Sequence, residues 1–418
     1  MPQFHQDTNH SYISIRKNSF FLDWRTQPKN FKTYPHFQMR FKIDDFKELE
    51  NLNLIGGVTY EKEYPEGKYY LRTNPSAGGL YPSEIYLQIR GVEGLLSGIY
   101  HYEPITATIC LLYEIDNDGI EYYFKNKNKQ KGITFLISSI YFRSSWKYRN
   151  RAVRYILLDS GHSLGAIYAT MCLMNRDSKI VFDFDKLALS DTFGFRVDEM
   201  FTVALSSTIS TENETKQIKE KFPFVSGCDF LETNNFIEDA YKKSVLFQSK
   251  DIEELDFLKN IDKSTLKKAI LSRRSIRAFR QISITNDEFE FILKDIFEFA
   301  IIYNIDIFYT VHNIDGKRQG LYKNQNLLKE GNFSQKSRYL SLEQNIGGQS
   351  AVTFYFTSNE KEAYQKVNIL SGFLAQIIYL KSEIKSIGCT GIGAYYDDET
   401  KDFLETKNNI LYLLAIGK

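Results

Sequence analysis

Two short stretches of this chain concentrate side chains that bind and transform ligands. Ser272-Arg273-Arg274-Ser275-Ile276-Arg277-Ala278-Phe279 brings three guanidiniums and the Ser275 hydroxyl within five positions. Guanidinium forks grip a phosphate through paired hydrogen bonds and do not lose their charge. A serine hydroxyl and nearby backbone N–H groups can take the remaining oxygens. By itself, a basic run of this kind more often complements the dipole at a helix C-terminus. The second stretch, Arg72-Thr73-Asn74-Pro75-Ser76-Ala77-Gly78-Gly79-Leu80-Tyr81-Pro82-Ser83-Glu84, suits a flat ring. Its small side chains and paired glycines let the backbone approach closely, and its prolines stiffen the loop. The Ser76 hydroxyl could hydrogen-bond a ring heteroatom. The plain alternative is a Gly/Pro turn leading into a strand. Neither stretch recurs in the other half of the chain, so the expectation is one ligand site assembled from two lobes.

Two further stretches could complete such a site. Gly388-Cys389-Thr390-Gly391-Ile392-Gly393-Ala394 reads as a glycine-rich turn whose backbone donors at Gly391, Ile392 and Gly393 could point at a ligand. It lacks the strand before it and the helix after it that a dinucleotide fingerprint requires. Trp146-Lys147-Tyr148-Arg149-Asn150-Arg151-Ala152-Val153-Arg154-Tyr155 puts Lys147 beside Tyr148 at the start of a helical pattern. An amine or a phenol can move a proton if its environment shifts its pKa. A basic helix start with snorkelling side chains is the commoner meaning of such a run. The six histidines and four cysteines show no metal-ligand spacing, so no metal is expected.

These motifs need a framework. Residues 84–90 alternate like a strand, 98–102 form a second short strand, and 155–174 carry apolar residues at helical spacing with small contact points at Gly161, Ala166 and Ala169. An apolar strand at 200–205 closes the first lobe. Residues 206 to about 255 read as a polar connector able to carry one or two surface helices. The same order then recurs. A helix leads into Arg273, Thr285 with Glu288 forms a capping box, and Gly320-Leu321-Tyr322 echoes Gly98-Ile99-Tyr100. Residues 351–356 form a buried strand, 370–380 echo the long helix and 410–416 echo 200–205. The fold class expected is α+β: two divergent tandem units, each joining helices to an antiparallel-rich sheet. The expected divisions are an N-terminal arm at 1–50, a first domain at 51–210, a connector at 211–255 and a second domain at 256–418.

Composition bounds the function. The chain has 418 residues, 43 % apolar and 25 % charged, which suits two ordinary soluble domains. A net charge of +1 gives no field to attract nucleic acid or anionic lipid. Four scattered cysteines fit a reducing cytoplasm rather than a disulfide framework. No apolar run is long enough to span a membrane, and the N-terminus lacks a basic-then-apolar signal pattern.

Together the motifs resemble the nitroreductase-like flavoprotein superfamily, and within it the SagB-type (ThcOx-like) azoline dehydrogenases. The resemblance is carried by the Arg72 to Glu84 loop, Gly98-Ile99-Tyr100-His101-Tyr102, Lys147-Tyr148 with Arg151 and Arg154, Asp159-Ser160-Gly161-His162, and Arg273-Arg274-Ser275 with Arg277 and Phe279. His5, Asp23-Trp24 and Pro28 also resemble the family's N-terminal arm. The resemblance implies an intramolecular pseudo-dimer of two nitroreductase-like domains holding FMN. Arg273, Arg274, Ser275 and Arg277 would clamp the phosphate. Pro75, Ser76, Ala77 and Gly78 would hold the isoalloxazine. Gly391, Ile392 and Gly393 would offer backbone donors to its edge, where a donor aimed at N5 stabilises arriving charge. Lys418 is a further phosphate candidate. The mirror-image site lacks its counterparts of all three parts, so one FMN per chain is expected.

The resemblance also implies a reaction: oxidation of a peptide thiazoline or oxazoline ring to the aromatic azole, with Lys147 or Tyr148 as the general base. The implied partners are a precursor peptide and a cyclodehydratase complex, with no nucleic acid and no membrane. A monomer acting as its own pseudo-dimer and a higher homo-oligomer are both allowed. Two alternatives stand beside this reading: an NAD(P)H-dependent nitroreductase-type enzyme on small acceptors, and a non-catalytic homologue that docks a peptide.

Overall fold

A computed structural model describes residues 3–17, 22–64, 67–245, 249–360 and 363–418. Parts of the expected arm (1–2 and 18–21) and of the expected connector (246–248) lie outside the described residues. The chain divides into two compact units, one of Asp23–Asn260 and one of Met1–Leu22 with Ile261–Lys418.

In the Asp23–Asn260 unit the strands are β1 (Arg40–Lys42), β2 (Val58–Tyr64), β3 (Gly67–Arg72), β4 (Ser83–Arg90), β5 (Gly98–Glu103), β6 (Thr108–Glu114), β7 (Asn128–Ile140), β8 (Lys179–Val181) and β9 (Glu199–Glu214). Strands β2 and β3 form a hairpin, and the other seven form an antiparallel sheet in the order β1-β6-β5-β4-β7-β9-β8. Strand β4 is buried at every position, as expected of a sheet covered on both faces. Beneath it Tyr86, Phe193, Phe201 and Phe222 interlock in a buried cluster. Full burial of each such ring contributes about 1.5–3 kcal/mol.

The second unit contains β10 (Ile284–Thr285), β11 (Asp306–Val311), β12 (Ile314–Asp315), β13 (Gly320–Lys323), β14 (Asn326–Glu330), β15 (Val352–Ser358), β16 (Gly388–Ile392) and β17 (Asn409–Gly417). Its main sheet runs β14-β13-β11-β15-β17-β16, again antiparallel. Position by position this repeats β6-β5-β4-β7-β9-β8. A long helix follows the fourth strand of each set: Ala152–Leu173 after β7 and Tyr364–Ile384 after β15. The expected echoes therefore occupy equivalent places, with Gly98 and Gly320 each opening a strand and Gly161 and Gly372 each inside the long helix. The Thr285–Glu288 capping box is formed. The chain is α+β, built from two units of one topology. No helix of the described residues is long and apolar enough to cross a membrane.

Three expectations are corrected. Residues 206–214 do not begin a connector but extend β9, pairing with β7 down to Asn128 opposite Glu214. Their polar composition reflects exposure beyond the buried part of the sheet, while Thr208, Ile209 and Thr211 still suit a strand. The Gly388 to Ala394 segment is not simply a turn: Gly388–Ile392 is a strand, with Gly388 paired to Gly417. Its glycines serve close packing, since a Cβ on Gly391 would fall 1.9 Å from Tyr412 Oη. Finally, Lys147 and Tyr148 do not start the long helix. They end a separate one, Tyr141–Tyr148, because Arg149 takes a positive φ of 50° and breaks the chain direction.

Candidate functional site

In the Asp23–Asn260 unit the site is built around residues 75–81. Gly78 and Gly79 have φ of 65° and 67°, a conformation that costs any L side chain about 1 kcal/mol or more. A Cβ on Gly79 would overlap Tyr69, whose hydroxyl lies 3.1 Å from the Gly79 carbonyl it donates to. The other end of the loop is held from the long helix. Ser76 Oγ donates to Asp159 Oδ2 at 2.5 Å, the Ala77 N–H donates to Asp159 Oδ1 at 3.2 Å, and the Tyr81 N–H donates back to Ser76 Oγ at 2.8 Å. The Ser76 hydroxyl hydrogen is thus committed to Asp159, and what it retains toward a ligand is a lone pair. Asp159 is buried, and burial pushes its carboxyl up to about 7 against the opposing pull of the two hydrogen bonds.

Lys147 and Tyr148 come up against this same loop. A Cβ on Gly78 would stand 2.6 Å from Tyr148 Oη and 3.3 Å from Lys147 Nζ. The missing side chain at Gly78 is what admits the phenol and the amine to the loop backbone. Lys147 Nζ also lies 5.2 Å from the centre of the Trp24 ring, which packs edge-on against Trp146. Trp24 is itself exposed. The Tyr148 ring lies 4.5 Å from that of Tyr155 on the long helix.

One buried arginine ties these pieces together. Arg143 sits one turn before Lys147 on the same face of the Tyr141–Tyr148 helix. Its guanidinium donates to the Tyr81 carbonyl at 2.9 Å, to Glu84 Oε1 at 2.6 Å and to the Gly227 carbonyl at 2.9 Å. It therefore fixes the helix carrying Lys147 and Tyr148 to the loop's end, where Tyr81 holds a φ of 45°. Burial would raise the Glu84 carboxyl, but Arg143, the His101 hydrogen bond and Arg72 hold it at about 2. Beside this group, Lys32 pairs with Glu199 at 2.7 Å, and Tyr86 and Ser138 also donate to Glu199. These buried ion pairs keep the start of β4 in one place.

The second unit assembles the other candidates. Arg273 is buried, its guanidinium 5.4 Å from the Tyr379 ring centre. Ser275 Oγ lies 2.9 Å from Tyr379 Oη, which also accepts the Gly391 N–H at 2.7 Å. The Ile276 N–H donates to the Cys389 carbonyl at 3.2 Å. The arginine stretch and the glycine-rich strand are thus stitched together, with Ile392 buried beneath and Gly393 following β16. Arg274 is half-buried and donates to the Leu271 and Arg273 carbonyls. Arg277 is exposed and has no hydrogen bond or ion pair among the described residues. Lys418 is held by Glu288 at 2.8 Å.

Sequence reading missed Arg143 and passed over Asp159. Four-residue spacing to Lys147 was the available signal for Arg143. Asp159 stood in a quoted motif, but nothing in the sequence connects it to Ser76.

No protein-family model matches the chain. A solved structure described as a "putative nitroreductase" from Anabaena variabilis superposes with a TM-score of 0.82 at 20 % identity, covering 99 % of this chain and 98 % of that one. Among curated proteins, "Putative nitroreductase MJ1384" of Methanocaldococcus jannaschii is 30 % identical over 116 residues, 27 % of this chain. The chain spans about half, 54 %, of that relative's length. A microcin synthetase complex of E. coli bound to a truncated pro-peptide aligns over 51 % of this chain at 14 % identity with a TM-score of 0.33, too low to support argument. The chain has a nitroreductase-like fold along essentially its whole length.

Proposed function

We propose that this protein is an FMN-dependent oxidoreductase of the cytoplasm that oxidises thiazoline or oxazoline rings on a precursor peptide to thiazoles or oxazoles. The observation that carries the reading is the approach of Lys147 Nζ and Tyr148 Oη to the bare backbone at Gly78. That arrangement sets two proton-moving groups beside a surface on which a flat ring system can lie. Each unit by itself supports the FMN reading: in one, Gly78 bares the loop backbone beside Tyr148 and Lys147, and in the other Ser275 and exposed Arg277 suit a phosphate. When bound, FMN supplies the acceptor for a hydride.

The chain's own residues would do the rest. Pro75, Ser76, Ala77 and Gly78 would lie along the ring system, with Ser76 accepting a ring N–H through its remaining lone pair. Arg273, Arg274, Ser275 and Arg277 would hold the phosphate end, and the 391–393 backbone would face the ring edge. Lys147 or Tyr148 would take the Cα proton of the azoline ring. Trp24, exposed beside Lys147, would give a peptide an aromatic surface. One FMN per chain and a cyclodehydratase partner follow from the resemblance noted in the sequence.

A second reading, an NAD(P)H-dependent nitroreductase on small acceptors, draws support from the names of the two similar proteins. The test is turnover of a thiazoline-bearing peptide. Lys147→Ala and Tyr148→Phe are both expected to retain FMN, and at least one of them to slow azole formation by about a hundredfold or more, the usual contribution of a positioned base. Normal turnover in both variants would defeat the assignment.

A further inference from the structure

The Ser76 hydroxyl gives its hydrogen to Asp159 and takes the Tyr81 N–H, leaving one lone pair, and the residue that organises it is Asp159. Both carboxyl oxygens of Asp159 point to the loop: one takes the Ser76 hydroxyl hydrogen and the other takes the Ala77 N–H. Asp159 lies within the long helix Ala152–Leu173, whose Ser160 is bonded in turn to Thr202 of β9 and lies 3.2 Å from Ser139 of β7. Asn74, just before the loop, donates to Ser163 one turn further along the helix. The loop is therefore registered against a rigid helix in addition to its own turn, in which the Gly79 N–H donates to the Ser76 carbonyl at 3.0 Å.

We infer that Asp159 is the positioning residue of the 75–78 loop, setting both its place and the polarity of the Ser76 hydroxyl that faces the ligand. The inference rests on the FMN reading for the identity of that ligand, but not for the clamp itself. With the ionised Asp159 carboxylate accepting, as it is above about pH 7, Ser76 can only accept from a ligand N–H. With asparagine there, the amide N–H₂ can donate to Ser76 and release its hydrogen outward, opposing a ligand donor. A second physical feature supports a dedicated role. A carboxyl buried this deeply with no charged partner among the described residues is costly, and burial pushes it up to about 7 even against the pull of its two hydrogen bonds. Such a group would be a poor choice for stability alone.

The test is a double-mutant cycle on the full chain with FMN affinity read by flavin fluorescence. Asp159→Asn and Ser76→Ala are each expected to weaken FMN by about tenfold or more, the loss of a charge-assisted or ligand-facing hydrogen bond. The double variant is expected to bind no weaker than Ser76→Ala within about twofold, because Asp159 acts through Ser76. Unaltered affinity in Asp159→Asn, or losses that multiply in the double variant, would overturn the inference. If the wild-type chain itself binds no FMN, the FMN reading fails and the clamp is read in the ligand-free protein by amide hydrogen exchange. Faster exchange at Ala77 and Tyr81 in Asp159→Asn would uphold it, and unchanged exchange there would refute it. The denaturation midpoint of Asp159→Asn at pH 8 separates positioning from scaffolding: it should not fall below wild type, whereas a merely structural residue would lower it.

Discussion

Asp159→Asn has a consequence for stability whose sign and size follow from the structure. The carboxyl titrates near its ordinary 3.8 in the unfolded chain and at about 7 when folded, because burial disfavours the charge. Between those values the folded protein holds a proton that the unfolded chain has released. The stability contributed by that proton is fully present below about pH 4 and is lost as pH rises through about 7. Over pH 5 to 8 the unmatched proton spans roughly two pH units, and at about 1.4 kcal/mol per unit this amounts to roughly 2–3 kcal/mol. Asparagine cannot ionise, so the variant should lack this decline. The assay is urea unfolding of both proteins at pH 5, 6, 7 and 8, taking the difference at each pH so that all other titrating groups cancel. The difference should move in favour of the variant by roughly 2–3 kcal/mol from pH 5 to pH 8. Parallel curves would show that Asp159 is charged throughout, and would refute the burial argument on which its role stands.

Gly78→Ala should lose about 1–2 kcal/mol of stability from its positive φ and push Tyr148 Oη aside by roughly 1 Å, cutting turnover by about a hundredfold. Thermal melts and steady-state rates check this, and an unchanged rate would show that the closeness of Tyr148 Oη to Gly78 has no functional weight. Arg277→Ala should weaken FMN by about tenfold or more through loss of a phosphate contact. Flavin retained at wild-type affinity on gel filtration and titration would place the phosphate elsewhere.

Much of the architecture is legible in the sequence because it is written in periodicity. The alternation at 84–90, the apolar helix around Gly161 and the capping box at Thr285 are local signals, and they recur in order across the two units. The nitroreductase-like fold was legible only through the resemblance carried by motifs such as the loop at 72–84 and Arg273-Arg274-Ser275. What escapes is decided by tertiary pairing. The polar residues 206–214 are a strand because β7 is long enough to pair with them. The Lys147–Tyr148 pair ends one helix rather than starting another because of a single backbone angle at Arg149. The glycines at 388 and 391 read as loop residues, yet they sit where Ile276 and Tyr412 leave no room for a Cβ. Asp159 was invisible as a partner of Ser76 because the two lie far apart in sequence and meet only when the helix packs behind the loop.

Anaerobic mixing of the flavin-loaded chain with a thiazoline-bearing peptide, followed at the flavin absorbance band, tests the central claim most directly. The expected result is bleaching by the peptide with appearance of the thiazole, recovery of colour on admitting oxygen, and marked slowing in Lys147→Ala or Tyr148→Phe. Rapid bleaching by NADPH with none by the peptide would contradict it and move the protein to the reductase reading.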